Sequence, residues 1–333
     1  MNYHNHKHSG YSLVELMIAV ALGIVVVGAT LGIFVSNRQT YIAAENLGRI
    51  QENARTAYEL MTRDVREAGG NPCAAQLPLV NVLKTPGANW WSNFANPVLG
   101  YEDGALGISI AGTDAIEIKS GSASTYTVAS HNPTSAIISL NTSTHNLVAE
   151  DILMICDSRQ IALFQMSGPN ATNATVVHNL GSGTPGNCSK GLGFKNPVDC
   201  STNGTSYAYG PNSLVTKLSA ARWYIGSNGR PAGCIAATTC GRSLFRQILR
   251  NTGGTNAPVA EEIAEGILDM QILYLLPGAN SYVNAAAVPA TRWSEVSAVR
   301  ITYTLEGNDR VGTDGQSVRR TLAHTVTLRN RNS

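Results

Sequence analysis

Charged side chains are scarce in this sequence. They make up 14% of its 333 residues, against roughly 25% in a typical soluble protein, and the formal net charge is only +2. Serine, threonine, asparagine and glycine supply the polarity instead, which suits an exported surface. A chain so close to neutrality is not expected to bind nucleic acid or to steer a charged substrate over long distances.

The sequence also lacks the motifs of common enzyme and metal sites. It contains no Walker A sequence, no H-E-x-x-H and no G-x-S-x-G, and its histidines are scattered with no assignable nucleophile. The stretch "GSGTPG", Gly181 to Gly186, fits a dinucleotide fingerprint only formally, because it neither follows a clear strand nor opens a helix. Asp309 and Asp314 share a glycine-rich turn that could hold calcium, but a hairpin loop between two strands is the preferred interpretation. We therefore predict a protein without catalysis, cofactor or metal.

An apolar run near the N-terminus is the longest feature that is present. Leu16 to Val35 carries no charge, and its length of about twenty residues allows a helix to cross a hydrocarbon core of roughly 30 Å. A secretory signal peptide would have a shorter apolar region that ends in a small-residue cleavage site. Nothing like A-x-A closes this run, and helical patterning continues to Ala68. We therefore expect a membrane-spanning helix over residues 11–36.

Glu15 is costly at the edge of this run. An acidic side chain near the centre of a membrane helix costs on the order of 3 kcal/mol, so a charge there indicates a function and needs a partner. If the chain is cut after Gly10, a new α-amino group appears on Tyr11, one helical turn before Glu15. That amine could pair with Glu15 of the same chain or with Glu15 of a neighbour in a helix bundle.

The segment from Gly10 through the apolar run resembles the class III signal of type IV prepilins and pseudopilins. The resemblance rests on Gly10, the aromatic Tyr11, Glu15 and the apolar run in that order. It implies that a prepilin peptidase cuts after Gly10 and methylates the nitrogen of Tyr11, and that Glu15 aids assembly. It also implies that residues 1–10 are a cytoplasmic leader. Lys7 favours that side of the inner membrane, which places the head in the periplasm.

An amphipathic continuation of the helix is predicted over residues 37–69. Apolar residues recur there at steps of three and four, so they share one face. Glu45 and Arg49 stand at i, i+4 in the favourable order, and Glu59 and Arg63 repeat the spacing. The apolar positions are Leu47, Ile50, Ala54, Tyr58, Met61, Val65 and Ala68.

Residues 70–333 are predicted to form a β-rich head. Short runs of β-branched and aromatic residues bounded by turn residues predict strands, whereas the sequence from Gly121 to Gly210 is rich in Ser, Thr, Asn and Gly and predicts long surface loops. The predicted fold class is α+β, a type IV pilin-like lollipop of one long helix and one disulfide-containing head. The strand candidates begin at Asp114, Ala136, Asp151, Ile161, Leu214, Ser243, Glu261, Trp293 and Arg319.

All six cysteines follow the apolar segment. An even number in an exported region predicts disulfides in an oxidising compartment, and the spacings C-x5-C and C-x11-C match no zinc pattern. Loop proximity favours a bond between Cys234 and Cys240. It also favours Cys188 with Cys200, which leaves Cys73 with Cys156.

The C-terminal strands, from Glu261 onward, resemble those of PilW-type minor pilins. A strand is followed by a Trp-x-x-Val start at Trp293 and by a closing Thr-Val-x-Leu-Arg-Asn strand that begins at Arg319. The J-type pseudopilins of type II secretion share a similar order of elements, but the large loop-rich middle and the size favour the pilus protein.

The two resemblances together imply a minor pilin that helps to prime type IV pilus assembly within a tip complex. Such a protein would support twitching motility, adhesion or DNA uptake. Its implied partners are the prepilin peptidase, other minor pilins, the major pilin and a tip adhesin, and it would lie in the inner membrane before entering the pilus. Two alternatives stay open: a J-type minor pseudopilin of a type II secretion system, and a membrane-anchored periplasmic enzyme.

Overall fold

The computed structural model describes residues 10–74, 77–169, 173–181, 183–230, 241–307, 309–312 and 315–329. The chain divides into two compact units. The first comprises Met1–Gln51 with Gly307–Val318, and the second comprises Glu52–Glu306 with Arg319–Ser333.

One α-helix, α1, spans Leu13–Glu67 and matches the predicted long helix closely. From Ala54 on, its inward face is apolar and fully packed, since Met61 and Val65 have no exposed surface. The helix ends where Gly69 adopts a φ of 71°, a left-handed conformation that suits a residue without Cβ. The Gly69 N–H then donates to the carbonyl oxygen of Lys119 at 2.8 Å, which starts the turn into the head.

The ion pairs on α1 correct one sequence prediction. Glu45 and Arg49 pair at 2.8 Å as expected. The predicted pair of Glu59 with Arg63 is wrong, because the Glu59 carboxylate binds Arg55 at 2.8 Å instead. All of these side chains are largely exposed, so each pair contributes only a few tenths of a kcal/mol.

Ten strands form the larger sheet of the second unit. They are β1 (Leu79–Asn81), β2 (Val98–Tyr101), β3 (Ala115–Asn132), β4 (Ile137–Leu140), β5 (Ile152–Cys156), β6 (Ile161–Gln165), β7 (Thr175–Val177), β8 (Leu214–Ser227), β9 (Arg242–Thr252) and β10 (Thr255–Glu265). The central order is β1-β6-β5-β8-β3-β4-β7, with β2 on β3 and the β9-β10 hairpin on β8. Only the pairing of β1 with β6 is parallel among the described strand pairs.

The core lies on both faces of this sheet. Every residue of β5 and β6 is buried, which explains why their sequences are continuously apolar rather than alternating. Alternate residues of β5 enter two different clusters: Leu153 joins the one around Phe164 and Tyr209, and Met154 joins the one around Trp91. The head is therefore a sheet covered on two sides.

A smaller antiparallel sheet contains β11 (Ile267–Leu275), β12 (Ala298–Glu306) and β13 (Arg319–Thr327) in that order. Alternate residues of β12 are at most 1% exposed, among them Tyr303. Its hydroxyl donates to Sδ of Met61 at 2.7 Å, so α1 packs on this sheet. The predicted α+β class, with one long apolar helix and a β-rich head, is confirmed.

Part of the sequence between Gly121 and Gly210 is more ordered than predicted. β3 continues past Gly121 to Asn132 and pairs with both β8 and β4, and β7 pairs with β4. Thr, Tyr and Val supply β propensity in these strands despite the many serines. The expectation of long loops holds for the stretch from Gly181 to Gly210, which contains no strand among its described residues.

Two disulfides tie the head together. Cys73 is bonded to Cys156 at the end of β5, and Cys188 is bonded to Cys200 within the long loop. These are two of the three pairings that the sequence suggested. The third, Cys234 with Cys240, lies outside the described residues.

Candidate functional site

The N-terminus of α1 is closed by a reciprocal pair of hydrogen bonds. The Glu15 N–H donates to the Ser12 hydroxyl oxygen at 3.1 Å, and the Ser12 N–H donates to a Glu15 carboxylate oxygen at 3.0 Å. This is a capping box, in which two otherwise unpaired backbone donors of the first turn are satisfied. The box fixes the Glu15 carboxylate at the very start of the helix, where the helix dipole favours a negative charge.

The Ser12–Glu15 contact adds a residue that sequence reasoning missed. The sequence "SLVE" carries the S-x-x-E signature of a capping box, which is the local signal that identifies this contact. Gly10 and Tyr11 precede the helix and are exposed, so the peptide bond between them lies in accessible chain.

The apolar half of α1 packs against no other part of the described chain. Its large apolar side chains, from Leu13 to Val35, are between 53% and 75% exposed. The helix is long and apolar enough to cross a membrane, with a mean hydropathy of 2.7 in its most apolar window. An apolar helix without an internal partner needs a membrane or other helices to cover it.

No contact within the described chain requires a glycine in the apolar half of α1. A Cβ added at Gly23, Gly28 or Gly32 would meet no other atom within 4 Å. Gly28 and Gly32 stand four residues apart, the spacing that allows two membrane helices to approach closely. Their contribution is therefore expected in contacts between chains.

The other half of α1 is bound to the head through Asp64. The Trp223 indole N–H donates to its Oδ2 at 2.9 Å, and Arg246 donates to both carboxylate oxygens at 2.7 and 3.0 Å. Trp223 on β8 is fully buried, so its N–H would be left without an acceptor if Asp64 were absent. A charged, two-point contact thus fixes the rotation of the helix on the sheet.

A second buried charge cluster lies on β3. The side chains of Glu117 and Lys119 are almost fully buried, and Lys119 Nζ lies 3.2 Å from Glu117 Oε2. The other oxygen of Glu117 accepts bonds from Tyr101 at 2.7 Å and from Arg222 Nε at 2.7 Å. Burial lowers the pKa of Lys119, while Glu117 opposes that shift. Each partner is satisfied within the network, which is typical of a structural cluster.

The sequence interpretation of scattered histidines is wrong for one pair. His131 and His178 place their Nε2 atoms 2.9 Å apart in the head. Nδ1 of His131 accepts the Tyr209 N–H at 3.1 Å, so its proton resides on Nε2 and is donated to His178. Burial lowers the pKa of His131 to about 4 and that of His178 to about 3. Both rings are therefore neutral at pH 7, and the pair is part of the packing.

The remaining site predictions concern metals and the leader. Among the described residues, no group of three or more His, Cys, Asp or Glu side chains is placed to hold a metal ion. Asp314 lies outside the described residues. β12 and β13 pair antiparallel, and the Gly307 N–H donates to Val318 O at 2.9 Å just beyond their paired ends. Most of the predicted leader, residues 1–9, also lies outside them.

Comparison with known protein families gives two matches. Residues 5–31 match the model of the prokaryotic N-terminal methylation motif, which spans Gly10, Tyr11 and Glu15. Residues 233–330 match the model of PilW, described as type IV pilus-assembly protein W, and this range contains β9 to β13. No curated protein matches the chain. The two matches lie at opposite ends of the sequence.

Proposed function

We propose that this chain, a type IV pilin-like protein of the PilW type, acts as a non-enzymatic minor pilin that helps to prime assembly of the type IV pilus. In this role a prepilin peptidase cuts after Gly10 and methylates the nitrogen of Tyr11. The apolar half of α1 holds the protein in the inner membrane and later joins the helices of other minor pilins and of the major pilin. A place in a tip complex, with a tip adhesin, is part of the proposal.

The single observation that carries the proposal is the arrangement at the start of α1. A carboxylate is held in the first turn by Ser12, directly after the Gly10–Tyr11 peptide bond and before an apolar surface that nothing in the described chain covers. Cleavage would create a positive α-amino group within one helical turn of that carboxylate. An ion pair inside a helix bundle would offset the cost of bringing Glu15 to membrane depth.

The head is proposed to face the periplasm. The disulfides Cys73–Cys156 and Cys188–Cys200 are consistent with an oxidising compartment. Lys7 ahead of the apolar segment favours a cytoplasmic N-terminus. The peptidase and the other pilins would therefore contact α1 in the inner membrane, before the subunit enters the pilus.

The match to the PilW model favours a pilus over a type II secretion machine. Deletion of the gene separates the two. We expect loss of surface pili and of twitching motility with unchanged secretion of exported enzymes. Loss of secretion with normal piliation would assign the chain to a secretion system.

Substitutions at Glu15 test the assembly step. Glu15→Ala removes both the charge and the cap, whereas Glu15→Gln keeps the cap because Gln also serves at this position of a capping box. We expect both variants to be cleaved normally and both to be recovered poorly in sheared pili. Glu45→Ala, which removes an exposed carboxylate elsewhere on α1, is the matched control and should assemble normally.

Two outcomes would contradict this mechanism. Normal recovery of Glu15→Gln together with poor recovery of Glu15→Ala would show that assembly needs the capping hydrogen bond and not the charge. Normal recovery of both variants would remove Glu15 from assembly altogether.

A further inference from the structure

The two edges of the smaller sheet differ. The edge formed by β11 is covered by polar groups of the neighbouring sheet: the Asp114 N–H donates to Met270 O and its carboxylate accepts the Ile272 N–H, both at 2.8 Å. Arg242 adds a bond to the carbonyl of Leu268 at 2.9 Å. β13 forms the other edge, and within the described part of the chain it pairs with β12 alone.

Beyond Arg319 and Arg320 at its start, the β13 edge contains no residue of the kinds that usually protect a strand edge from pairing. The segment from Thr321 to Leu328, "TLAHTVTL", contains no Gly, no Pro and no Asp, Glu, Lys or Arg. Its side chains Ala323 and Thr325 are exposed. Natural proteins usually protect such an edge with charge, proline, a bulge or a covering segment, because its free N–H and C=O groups can bind another strand.

Another edge strand of the same head shows that protection. β10 lies at the end of the β8-β9-β10 series and pairs only with β9 among the described strands. It contains Pro258 and three acidic residues, Glu261, Glu262 and Glu265. The head thus blocks one long edge and leaves a second long edge open, which indicates that the second is used.

Unpaired arginines stand at both ends of the open edge. Arg320 at its start is exposed and has no ion-pair partner among the described residues, whereas its neighbour Arg319 binds Glu306 at 2.8 Å. Arg329 follows its end and lines two pockets of about 250 Å³ together with Arg66 of α1. Glu67 lines both pockets and Glu59 lines one of them, but these carboxylates pair with Arg63 and Arg55. No ion pair of Arg66 or Arg329 is found among the described residues, so the C-terminal end of the strand carries a net positive charge.

We propose that the edge of β13 receives an extended segment of another pilus subunit, which adds a strand to the smaller sheet. Main-chain hydrogen bonds along Thr321 to Leu328 would provide the binding, as in other cases of strand addition. The segment is uncharged in its middle and carries acidic side chains at its ends, one at Arg320 and one at the Arg66 and Arg329 site. The distance between these ends is roughly 30 Å for an extended strand. This inference rests on the proposed function.

A second copy of this chain does not fit as the occupant. In an antiparallel pair of two β13 strands, Arg320 of each copy would lie beside Arg329 of the other. In a parallel pair, each arginine would lie near its own counterpart. Like charges across a strand pair are destabilising in both arrangements. The charge pattern therefore selects a different, acidic-ended partner.

Photo-crosslinking in cells tests the inference with the full chain. A photoreactive amino acid replaces Thr325 on the open edge, and the control replaces the exposed Gln271 on the covered edge strand β11. We expect Thr325 to crosslink to one other pilin, and peptide mapping to find the crosslink in an uncharged segment flanked by acidic residues. The control position should give no such product.

Charge reversal provides the second measurement. Combining Arg66→Glu with Arg329→Glu should lower the yield of the Thr325 crosslink roughly tenfold, because two attractions become repulsions. Arg159→Glu, an exposed reversal in the turn between β5 and β6, is the matched control and should leave the yield unchanged.

The outcomes separate this inference from the proposed function. If the chain is recovered in sheared pili but Thr325 crosslinks to no other pilin, or only to its own copies, the strand-addition inference is wrong and the proposed function stands. A Thr325 crosslink that is insensitive to the two charge reversals would also overturn it. If the chain is absent from pili under all conditions, the proposed function fails, and this inference fails with it.

Discussion

The two halves of α1 have opposite surroundings, although they belong to one continuous helix. Met17 in the first half is 64% exposed, while Met61 in the second half has no exposed surface. The first half is apolar on all sides and the second only on one stripe. A stripe is enough for packing on a protein surface, whereas an all-round apolar surface requires a membrane or a bundle.

This difference assigns a separate task to each half. The second half is part of the folding core of the head, so substitutions there should act on stability. The first half contributes nothing to that core, so substitutions there should act on membrane retention and assembly. Fluorescence can isolate the head, because all four tryptophans lie at or beyond residue 90.

The largest expected contrast is between two methionines. Met61→Ala should lower the free energy of unfolding of the head by about 2–5 kcal/mol, because it leaves a cavity and removes the acceptor of the Tyr303 hydroxyl. Met17→Ala should change it by less than about 0.5 kcal/mol. The measurement is denaturant unfolding of the mature protein in detergent, followed by tryptophan fluorescence. Equal losses for both variants would remove the distinction between the halves.

Asp64 provides a polar version of the same contrast. Asp64→Ala should lower the free energy of unfolding by about 2–4 kcal/mol. It leaves the buried Trp223 N–H without an acceptor and the partly buried Arg246 without its counter-charge. Glu45→Ala removes an equally charged but exposed group on α1 and should cost under about 0.5 kcal/mol. A double variant of Asp64→Ala with Arg246→Met should recover part of the loss. No recovery would mean that the indole contact alone is responsible.

Two glycines extend the comparison to backbone packing. A Cβ at Gly100 on β2 would come within 2.3 Å of the Tyr274 hydroxyl and 2.8 Å of the Trp293 ring. Gly100→Ala should therefore destabilise the head by about 1–3 kcal/mol in thermal unfolding. Gly28→Ala should leave the melting temperature unchanged and instead reduce incorporation into pili, since its Cβ meets nothing within the chain. A lowered melting temperature of Gly28→Ala with normal incorporation into pili would show that Gly28 is required for packing within the subunit.

Acid should weaken the head through the buried histidine pair. Burial lowers the pKa of His178 to about 3, against about 6.5 in the unfolded chain. Below about pH 6.5 the folded state therefore binds fewer protons at His178 than the unfolded state does. The contribution of the neutral His178 ring to the free energy of unfolding is fully present above about pH 6.5 and is lost as the pH decreases toward about 3. At pH 5 the loss from His178 alone is about 2 kcal/mol. Unfolding curves at pH 7 and 5 measure it.

Substitution identifies the group responsible for this pH dependence. His178→Gln should reduce the difference between pH 7 and pH 5 by about half, because His131, whose pKa is lowered to about 4, contributes a similar loss, whereas His145→Gln should preserve it. Glu15 is the one ionisable side chain between Ser12 and Val35, so the apolar half has no comparable histidine. An unchanged pH dependence in His178→Gln would assign it to other groups of the head.

Much of this architecture follows from local sequence patterns. The long continuous apolar run and the stripe that ends at Ala68 predict the helix, and the period-two alternation in β12 predicts a strand. The Ser12–Glu15 box also has a local signature. It was missed because Glu15 was interpreted only by its charge.

The rest depends on pairings between distant segments. β7 is three residues long and is a strand only through its pairing with β4 and a bridge between Val177 and Gly168. The His131–His178 contact joins residues 47 positions apart, and Asp64 meets Arg246 across 182 positions. No window of sequence contains both members of such pairs, so neither the pKa shifts nor the anchoring of α1 could be predicted from it.

The central claim is that cleavage after Gly10 turns α1 into an assembly helix. Its most direct test is the intact mass and N-terminal sequence of the protein from membranes, with and without the host's prepilin peptidase. We predict loss of residues 1–10 and an N-methylated Tyr11, both dependent on the peptidase. An intact N-terminus, or a cut beyond the apolar run, would contradict the account.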